Sequence, residues 1–234
     1  MSVVITSDVH LSEAAPDTAS LFFSFLESDV VAQNELFLLG DIFDRWVGDD
    51  CVPAVALKLA KVTQKRHKKG LKTFFMPGNR DFLCQSAYLE FAKMRLISDP
   101  YILKINDVNY CLSHGDALCL SDVPYMKARP FLRSKFIQAA FLSLPKMIRH
   151  QIGNQLRENS RGSNKSLKNL DIDPLAAQKL CLKHHSNHLI HGHIHTLKQV
   201  KHTWGIQYVL SDWSPVQGSY LHIDEAKPTL HRYS

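Results

Sequence analysis

The sequence has no apolar run long enough to cross a membrane, no low-complexity tract and no internal repeat. Its start, Met1-Ser2-Val3-Val4-Ile5, lacks a basic n-region, a long apolar stretch and a small-residue cleavage site, so no secretory signal is expected. Cysteine is sparse and unpatterned. Cys51, Cys84, Cys111, Cys119 and Cys181 are odd in number and form no C-x-x-C pair. That argues against a disulfide scaffold and a zinc ribbon, and for reduced thiols in a cytoplasmic protein. P-loop, G-x-G-x-x-G, H-E-x-x-H and G-x-S-x-G patterns are all missing, so nucleotide triphosphatase, dinucleotide-binding, zincin and serine-hydrolase chemistry lack support.

One stretch is also short of acid. Residues 123–168 carry ten Lys or Arg against a single acid, Glu158, a net +9; the remainder holds 18 bases and 21 acids, a net −3. An anionic partner is therefore expected at that segment. With 234 residues, 45% hydrophobic and 21% charged, the chain is globular, and fits one large domain or a domain with an insertion.

What the chain does have is histidine in a telling place. His191-Gly192-His193-Ile194-His195 follows the apolar pair Leu189-Ile190, the end of an expected buried strand. In an extended segment three imidazoles at i, i+2 and i+4 share one side. That fills a core poorly and holds a cation well, because neutral imidazole is a common metal ligand. The alternative is a solvated patch in a chain with 13 histidines. Gly192 lets the backbone turn there or approach something closely.

The same arrangement recurs along the chain. Val3 to Ser7 reads as a strand ending in Asp8-Val9-His10, with carboxylate and imidazole on one side. Residues 17–34 are expected to be helical, with Asp17 as a cap. Leu36 to Leu39 is a strand ending in Gly40-Asp41-Ile42-Phe43-Asp44, and a helix follows over 53–69. Thr73 to Met76 is a strand ending in Pro77-Gly78-Asn79-Arg80-Asp81, followed by a helix over 85–94. Residues 101–112 read as a hairpin ending in Ser113-His114-Gly115-Asp116. Residues 123–160 are expected to form two or three helices broken at Pro130 and Pro145, then a helix over 174–185, then short closing strands over 198–203, 206–211, 217–223 and 229–233. Trp46, Trp204 and Trp213 are expected to be packing residues.

A single Gly-Asp or Gly-Asn is what turns favour. Five strand ends in series, each bearing a metal-competent side chain, are hard to assign to turns, and ligands of α/β sheets bind outside strand carboxyl ends. Asp8, His10, Asp41, Asn79, His114, His193 and His195 mix hard oxygen with imidazole and contain no thiolate, which suits Mn²⁺, Fe²⁺ or Zn²⁺. So many ligands fit two ions sharing a carboxylate, about 3.5–4 Å apart, a device for phosphoryl chemistry in which one ion lowers the pKa of a water.

The order D-x-H, G-D-x-x-D, G-N-R-D, H-G-D, H-G-H-x-H resembles the calcineurin-like metallophosphoesterases, and these motifs span nearly the whole chain. The resemblance implies an α/β (α+β) fold, a four-layer α/β/β/α sandwich, with residues 1–122 and 169–234 as core and 123–168 as a basic, apolar helical cap insert. It implies two Mn²⁺: Asp8, His10, Asp41 and His195 holding one, Asp41, Asn79, His114 and His193 the other, with Asp41 bridging. Asp41, Asn79, Arg80 and His114 would be catalytic; His191, Asp44, Asp81 and Asp116 would support them.

Gly40 to Phe43, Trp46 to Asp50, the basic insert and Asn159-Ser160 through Leu167 resemble, more narrowly, the UDP-2,3-diacylglucosamine pyrophosphatases of lipid A biosynthesis. This implies α-phosphate cleavage of a UDP-lipid sugar to UMP and a lipid sugar 1-phosphate. Asn79, Arg80, Asp122, Ser160, Asn164, Lys165 and His193 would contact substrate, although the Asn164–Lys165 spacing is shorter than the family pattern. The chain is expected to be a monomer, attached peripherally to the cytoplasmic face of the inner membrane through the basic insert.

Two readings of the residues agree. Many family members have His after the G-N pair, where it protonates an alkoxide; here Arg80 stands, which stays charged and clamps phosphate oxygens instead. That favours a phosphoanhydride substrate, the alternative being that Arg80 merely balances nearby acids. Phe131, Leu132, Phe136, Ile137, Phe141 and Ile152 crowd the basic segment, as core or as a cap whose inner face holds acyl chains and whose bases meet anionic headgroups. The rivals are another dimetal phosphodiesterase acting on cyclic nucleotides or nucleic acid, and a sandwich that has lost catalysis. The segment's Phe and Leu content speaks against tracking nucleic acid, so no nucleic-acid partner is expected.

Overall fold

The computed structural model describes residues 2–167 and 171–234; for 159–167 it describes the backbone alone. In chain order the elements are β1 (Val3–Thr6), α1 (Pro16–Glu27), α2 (Asp29–Ala32), β2 (Glu35–Leu39), α3 (Ala54–Lys68), β3 (Thr73–Met76), α4 (Ser86–Phe91), β4 (Met94–Leu96), β5 (Tyr101–Ile105), β6 (Val108–Leu112), α5 (Val123–Leu132), α6 (Lys135–Leu142), α7 (Lys146–Leu167), α8 (Pro174–Lys183), β7 (His188–His191), β8 (Lys198–His202), β9 (Gly205–Val209), β10 (Gly218–Asp224) and β11 (Lys227–Tyr233).

Among the described residues the strands form two sheets, ordered β11-β10-β1-β2-β3-β4 and β5-β6-β7-β9-β8. β1, β2, β3 and β4 run parallel, as do β6, β7 and β9. Side-chain alternation sorts the strands into layers. Val3, Ile5, Phe37, Leu39, Phe74 and Met76 of the first sheet face Leu103, Ile105, Tyr110, Leu112, Ile190 and Tyr208 of the second. Val4, Leu36, Leu38 and Phe75 point the other way, onto Phe22 and Phe25 of α1, Leu59 and Ala60 of α3, and Tyr88 and Leu89 of α4. The second sheet's outer face, with Cys111 and Leu189, packs on Ala177 and Cys181 of α8. The result is the expected α/β/β/α sandwich. All five cysteines are free thiols. Trp46 and Trp213 are buried in the first helix–sheet core, and Trp204 packs beside α8.

Several local expectations change. The helix over 17–34 breaks at Ser28 into α1 and α2, and it is entered through Ala15 and Pro16, with Asp17 inside the first turn rather than capping it. Proline at the first helical position removes one of the unpaired N–H groups of the first turn, and no side chain caps the others. The helix over 85–94 ends at Phe91, and Met94–Leu96 adds an edge strand too short to show a period. Pro130 lies inside α5 rather than breaking it. Only two residues of the helix follow it, and the Arg133 amide still closes on the Arg129 carbonyl at 2.9 Å. The break falls at Arg133–Ser134, while Pro145 does separate α6 from α7.

Phe37 is fully buried between the sheets and stacks on Phe74, ring centroids 4.3 Å apart. Phe37→Ala should cost about 3–5 kcal/mol of unfolding free energy in a urea titration; a loss under about 1 kcal/mol would mean that the inter-sheet layer repacks.

Candidate metal centre

Parallel strands finish at a common edge, so the loops after β1, β2, β3, β6 and β7 meet there. They meet with a bent backbone. Asp8, His10, Asp41, His193 and His195 all have positive φ, between 53° and 69°. For residues with a Cβ this left-handed region is sparsely populated and costs of order 1–3 kcal/mol each. The extended alternation expected for Asp8/His10 and for the three C-terminal histidines therefore does not hold: β1 ends at Thr6 and β7 at His191, and the chain curls immediately.

The curl still brings donor atoms together. Asp8, His10 and His195 place ligand atoms within 4.8 Å of one another, and so do Asp8, Asp41 and His114; Asp8 is common to both groups. His10 Nε2 and His195 Nε2 face each other at 3.4 Å, and His195 Nε2 stands 3.4 Å from Asp8 Oδ1. His114 Nδ1 donates to the Leu39 carbonyl at 2.9 Å, since a carbonyl only accepts. Its Nε2 then faces Asn79 Oδ1, 3.0 Å away, with Asp41 Oδ1 at 3.6 Å. The His193 ring lies edge-on to that of His114, centroids 5.1 Å apart.

Supporting contacts are dense. Asp81 is fully buried and accepts from the amides of Asp41, Ile42, Phe43 and Gly78, locking two loops together. Asp8 Oδ2 accepts from the His193 amide at 2.9 Å. His191 does not join the other imidazoles. It accepts from Gln207 Nε2 (2.9 Å) and donates from Nδ1 to the Gly192 carbonyl, while Gln207 Oε1 accepts from His202. Gly192 earns its place by close approach: a Cβ there would lie 2.0 Å from Asp8 Oδ2.

The electrostatics fit cations. Asp8 Oδ1 and His10 Nδ1 are buried with no hydrogen-bond partner among the described residues, an expensive condition unless something else satisfies them. Burial holds His10 and His193 below the usual histidine range, His193 at about 3, so both keep lone pairs. Burial raises the Asp41 carboxyl to about 7. Burial lowers His114, but the charges of Asp41 and Asp8 outweigh it and lift it to about 9. Converging acceptors without a cation thus capture a proton.

Arg80 donates from its amide to Asp41 Oδ1 at 2.8 Å, and its guanidinium lies 3.5 Å from Asp41 Oδ2 and 3.2 Å from Asp44 Oδ1. From Arg80 and Asn79 a cavity of about 270 Å³ runs under α5, α6 and α7, lined by Phe82, Phe131, Ile137, Phe141, Ile152 and Leu156. Asp122 caps α5, accepting from the Tyr125 amide at 3.2 Å. Ser160, Asn164 and Lys165 lie on α7, and their side chains fall outside the described residues.

Sequence reading missed Asp212, 3.7 Å from His195 Nδ1, although it too follows a strand, β9, within three residues. It missed Asp99, which accepts from the His114 amide at 3.3 Å, and Gln207, which no motif marks.

A calcineurin-like phosphoesterase family model matches residues 1–197. The chain belongs to that family. A UDP-2,3-diacylglucosamine hydrolase of Wigglesworthia glossinidia brevipalpis is 35% identical, covering 100% of this chain and 95% of the relative. A protein of the same name from Xanthomonas axonopodis pv. citri is 34% identical, covering 99% of each. A solved archaeal phosphodiesterase shares the fold, with a TM-score of 0.50 at 10% identity and 99% of both chains covered.

Two outcomes are expected. Gly192→Ala should push the Asp8 carboxylate aside and weaken Mn²⁺ binding about tenfold or more by titration calorimetry; unchanged affinity would sever Gly192 from the site. In metal-free protein above about pH 6.5, where His10 and His193 are neutral whether folded or not, the raised pKa values of Asp41 and His114 leave the folded state holding more protons than the unfolded one. Stability should fall as pH rises from about 6.5 to 9, and Mn²⁺ should restore it most at the alkaline end. Thermal melts across that range check the sign.

Proposed function

We propose that this chain hydrolyses the pyrophosphate bond of UDP-2,3-diacylglucosamine at the α-phosphorus, releasing UMP and 2,3-diacylglucosamine 1-phosphate for lipid A biosynthesis. The observation that carries this reading is the continuity between polar centre and apolar cavity: Asn79 and Arg80 belong to both. A substrate with a diphosphate next to acyl chains matches that junction, and the relatives' printed names agree with it.

In this reading Asp8, His10, Asp41 and His195 would hold one Mn²⁺ and Asp41, Asn79, His114 and His193 the other, with Asp41 between them. Divalent cations bound there supply Lewis-acid charge and lower the pKa of a water. The chain's own groups orient and neutralise. Arg80, anchored by Asp41 and Asp44, presents its guanidinium toward the cavity mouth, where it can clamp phosphate oxygens. Being always charged, it stabilises a phosphate leaving group and donates no proton, which suits an anhydride. Asp122, Ser160, Asn164, Lys165 and His193 would add substrate contacts, and the helices over 123–168 would form the cap as an insert between core segments 1–122 and 169–234.

The cap's outer side suggests where the substrate comes from. Phe136 is 88% exposed and Met147 73%, with Lys135 and Lys146 beside them in sequence. No helix among the described residues is long and apolar enough to cross a membrane. The chain would act as a monomer docked on the anionic cytoplasmic face of the inner membrane, each base near the surface worth about 1 kcal/mol.

Mass spectrometry of UDP-2,3-diacylglucosamine incubated with the chain and Mn²⁺ should detect UMP; UDP as product would put the cut at the sugar and overturn the reading. Arg80→Gln should lower kcat/KM about 100-fold or more, and equal activity would return Arg80 to mere charge balance. Flotation with anionic vesicles should recover the protein at low salt and lose it at high salt; equal recovery with neutral vesicles would remove membrane docking.

A further inference from the structure

α5 and α6 bury no residue completely, so apolar packing by itself does not determine where they sit. α7 has its own anchor: Arg149 bonds both carboxylate oxygens of Asp50 and the Val47 carbonyl. The tie at the α5 end converges on one carboxylate. Asp116 is fully buried. Its Oδ2 accepts from the Tyr125 hydroxyl at 2.5 Å, from Arg129 Nε at 2.8 Å and from Arg133 Nη2 at 3.4 Å. These donors recur at intervals of four, so one face of α5 and its C-terminal end is gathered onto a single acceptor.

The attachment points adjoin the metal centre. Asp116 follows His114 by two residues. Arg133 Nη2 also donates to the Gly78 carbonyl at 2.9 Å, one residue before Asn79. The Arg133 guanidinium lies 5.3 Å from the Phe82 ring centroid, and Phe82 lines the cavity. The same helix supplies Phe131 and Leu132 to the cavity lining.

We propose that Asp116 is a positioning residue that registers the cap on the metal-bearing loops, so that the apolar cavity keeps the spacing from Asn79 and Arg80 that a lipid substrate requires. This rests on reading the cavity as the acyl site. The metal ligands have separate supports, His114 on the Leu39 carbonyl and the Asp41 loop on Asp81. Loosening α5 therefore changes the cavity wall before it changes the ligands. Hydrogen bonds to a charged group are strong enough that losing two shifts binding about tenfold or more.

The test uses the full chain carrying Tyr125→Phe and Arg129→Gln together, with Asp116 left in place so that no guanidinium is stranded without a carboxylate. Three quantities are read: KM and kcat for UDP-2,3-diacylglucosamine, Mn²⁺ affinity, and amide hydrogen exchange over residues 123–132 against 3–11 and 188–195. KM should rise about tenfold with kcat and Mn²⁺ affinity within about twofold, and exchange should increase over 123–132 alone. Unchanged KM and exchange would overturn the proposal. So would a fall in kcat and Mn²⁺ affinity at constant KM, which would make the cluster a support of the metal centre. Tyr125→Phe alone, which removes one hydroxyl, should give a smaller change of the same kind. If the unsubstituted chain leaves the lipid substrate intact, the proposed function falls, and exchange over 123–132 still decides whether this cluster holds α5.

Discussion

Too many lone pairs meet at one sheet edge for the molecule to be at ease without cations. His114, its Nδ1 engaged by the Leu39 carbonyl, turns Nε2 toward the oxygens of Asn79 and Asp41, and His10 Nδ1 is buried with no hydrogen-bond partner among the described residues. Neither is a feature that folding alone would favour. The left-handed backbone at five of the expected ligands adds to the cost. That cost is offset elsewhere, in part by the continuous apolar layer between the sheets.

From that edge the remaining architecture follows in layers of decreasing rigidity. Asp81 ties the Asp41 and Gly78 loops through four backbone amides, so the donors move as a unit. Arg80 carries the charge of the centre outward between Asp41 and Asp44. Beyond it lies an apolar cavity whose far wall comes from helices held largely by ionic and polar contacts. A tight polar centre joined to a more adjustable apolar chamber suits chemistry on a charged group that carries greasy, variable substituents.

How far this was readable in advance differs by element. The strands of the first half are apolar runs ended by Gly-Asp or Gly-Asn, and both type and place were legible because a fully buried parallel strand leaves little choice of residue. Helix ends were harder: Ser28 splits α1 from α2 without proline or glycine, and Pro130 sits near enough to the end of α5 to cost little. Of the three C-terminal histidines, two reach the centre and one does not. No period distinguishes them, because the chain leaves the strand between the first and the second. Asp212 obeyed the strand-end rule used for the others and was passed over; Gln207 matters through a contact sixteen residues away that has no local signature.

The order of motifs along the chain determined, unaided, which atoms are available for chemistry and that they lie at strand ends, because a buried sheet exposes only its edges. It also determined that one segment is basic and apolar at once. Tertiary structure decided which of those atoms face one another, that Asp8 is shared by both clusters, and that Asn79 and Arg80 open onto the cavity. Those outcomes depend on backbone dihedrals after each strand and on contacts between residues over a hundred positions apart, such as Asp8 with His193. Such contacts are settled only when two sheets close on a common core.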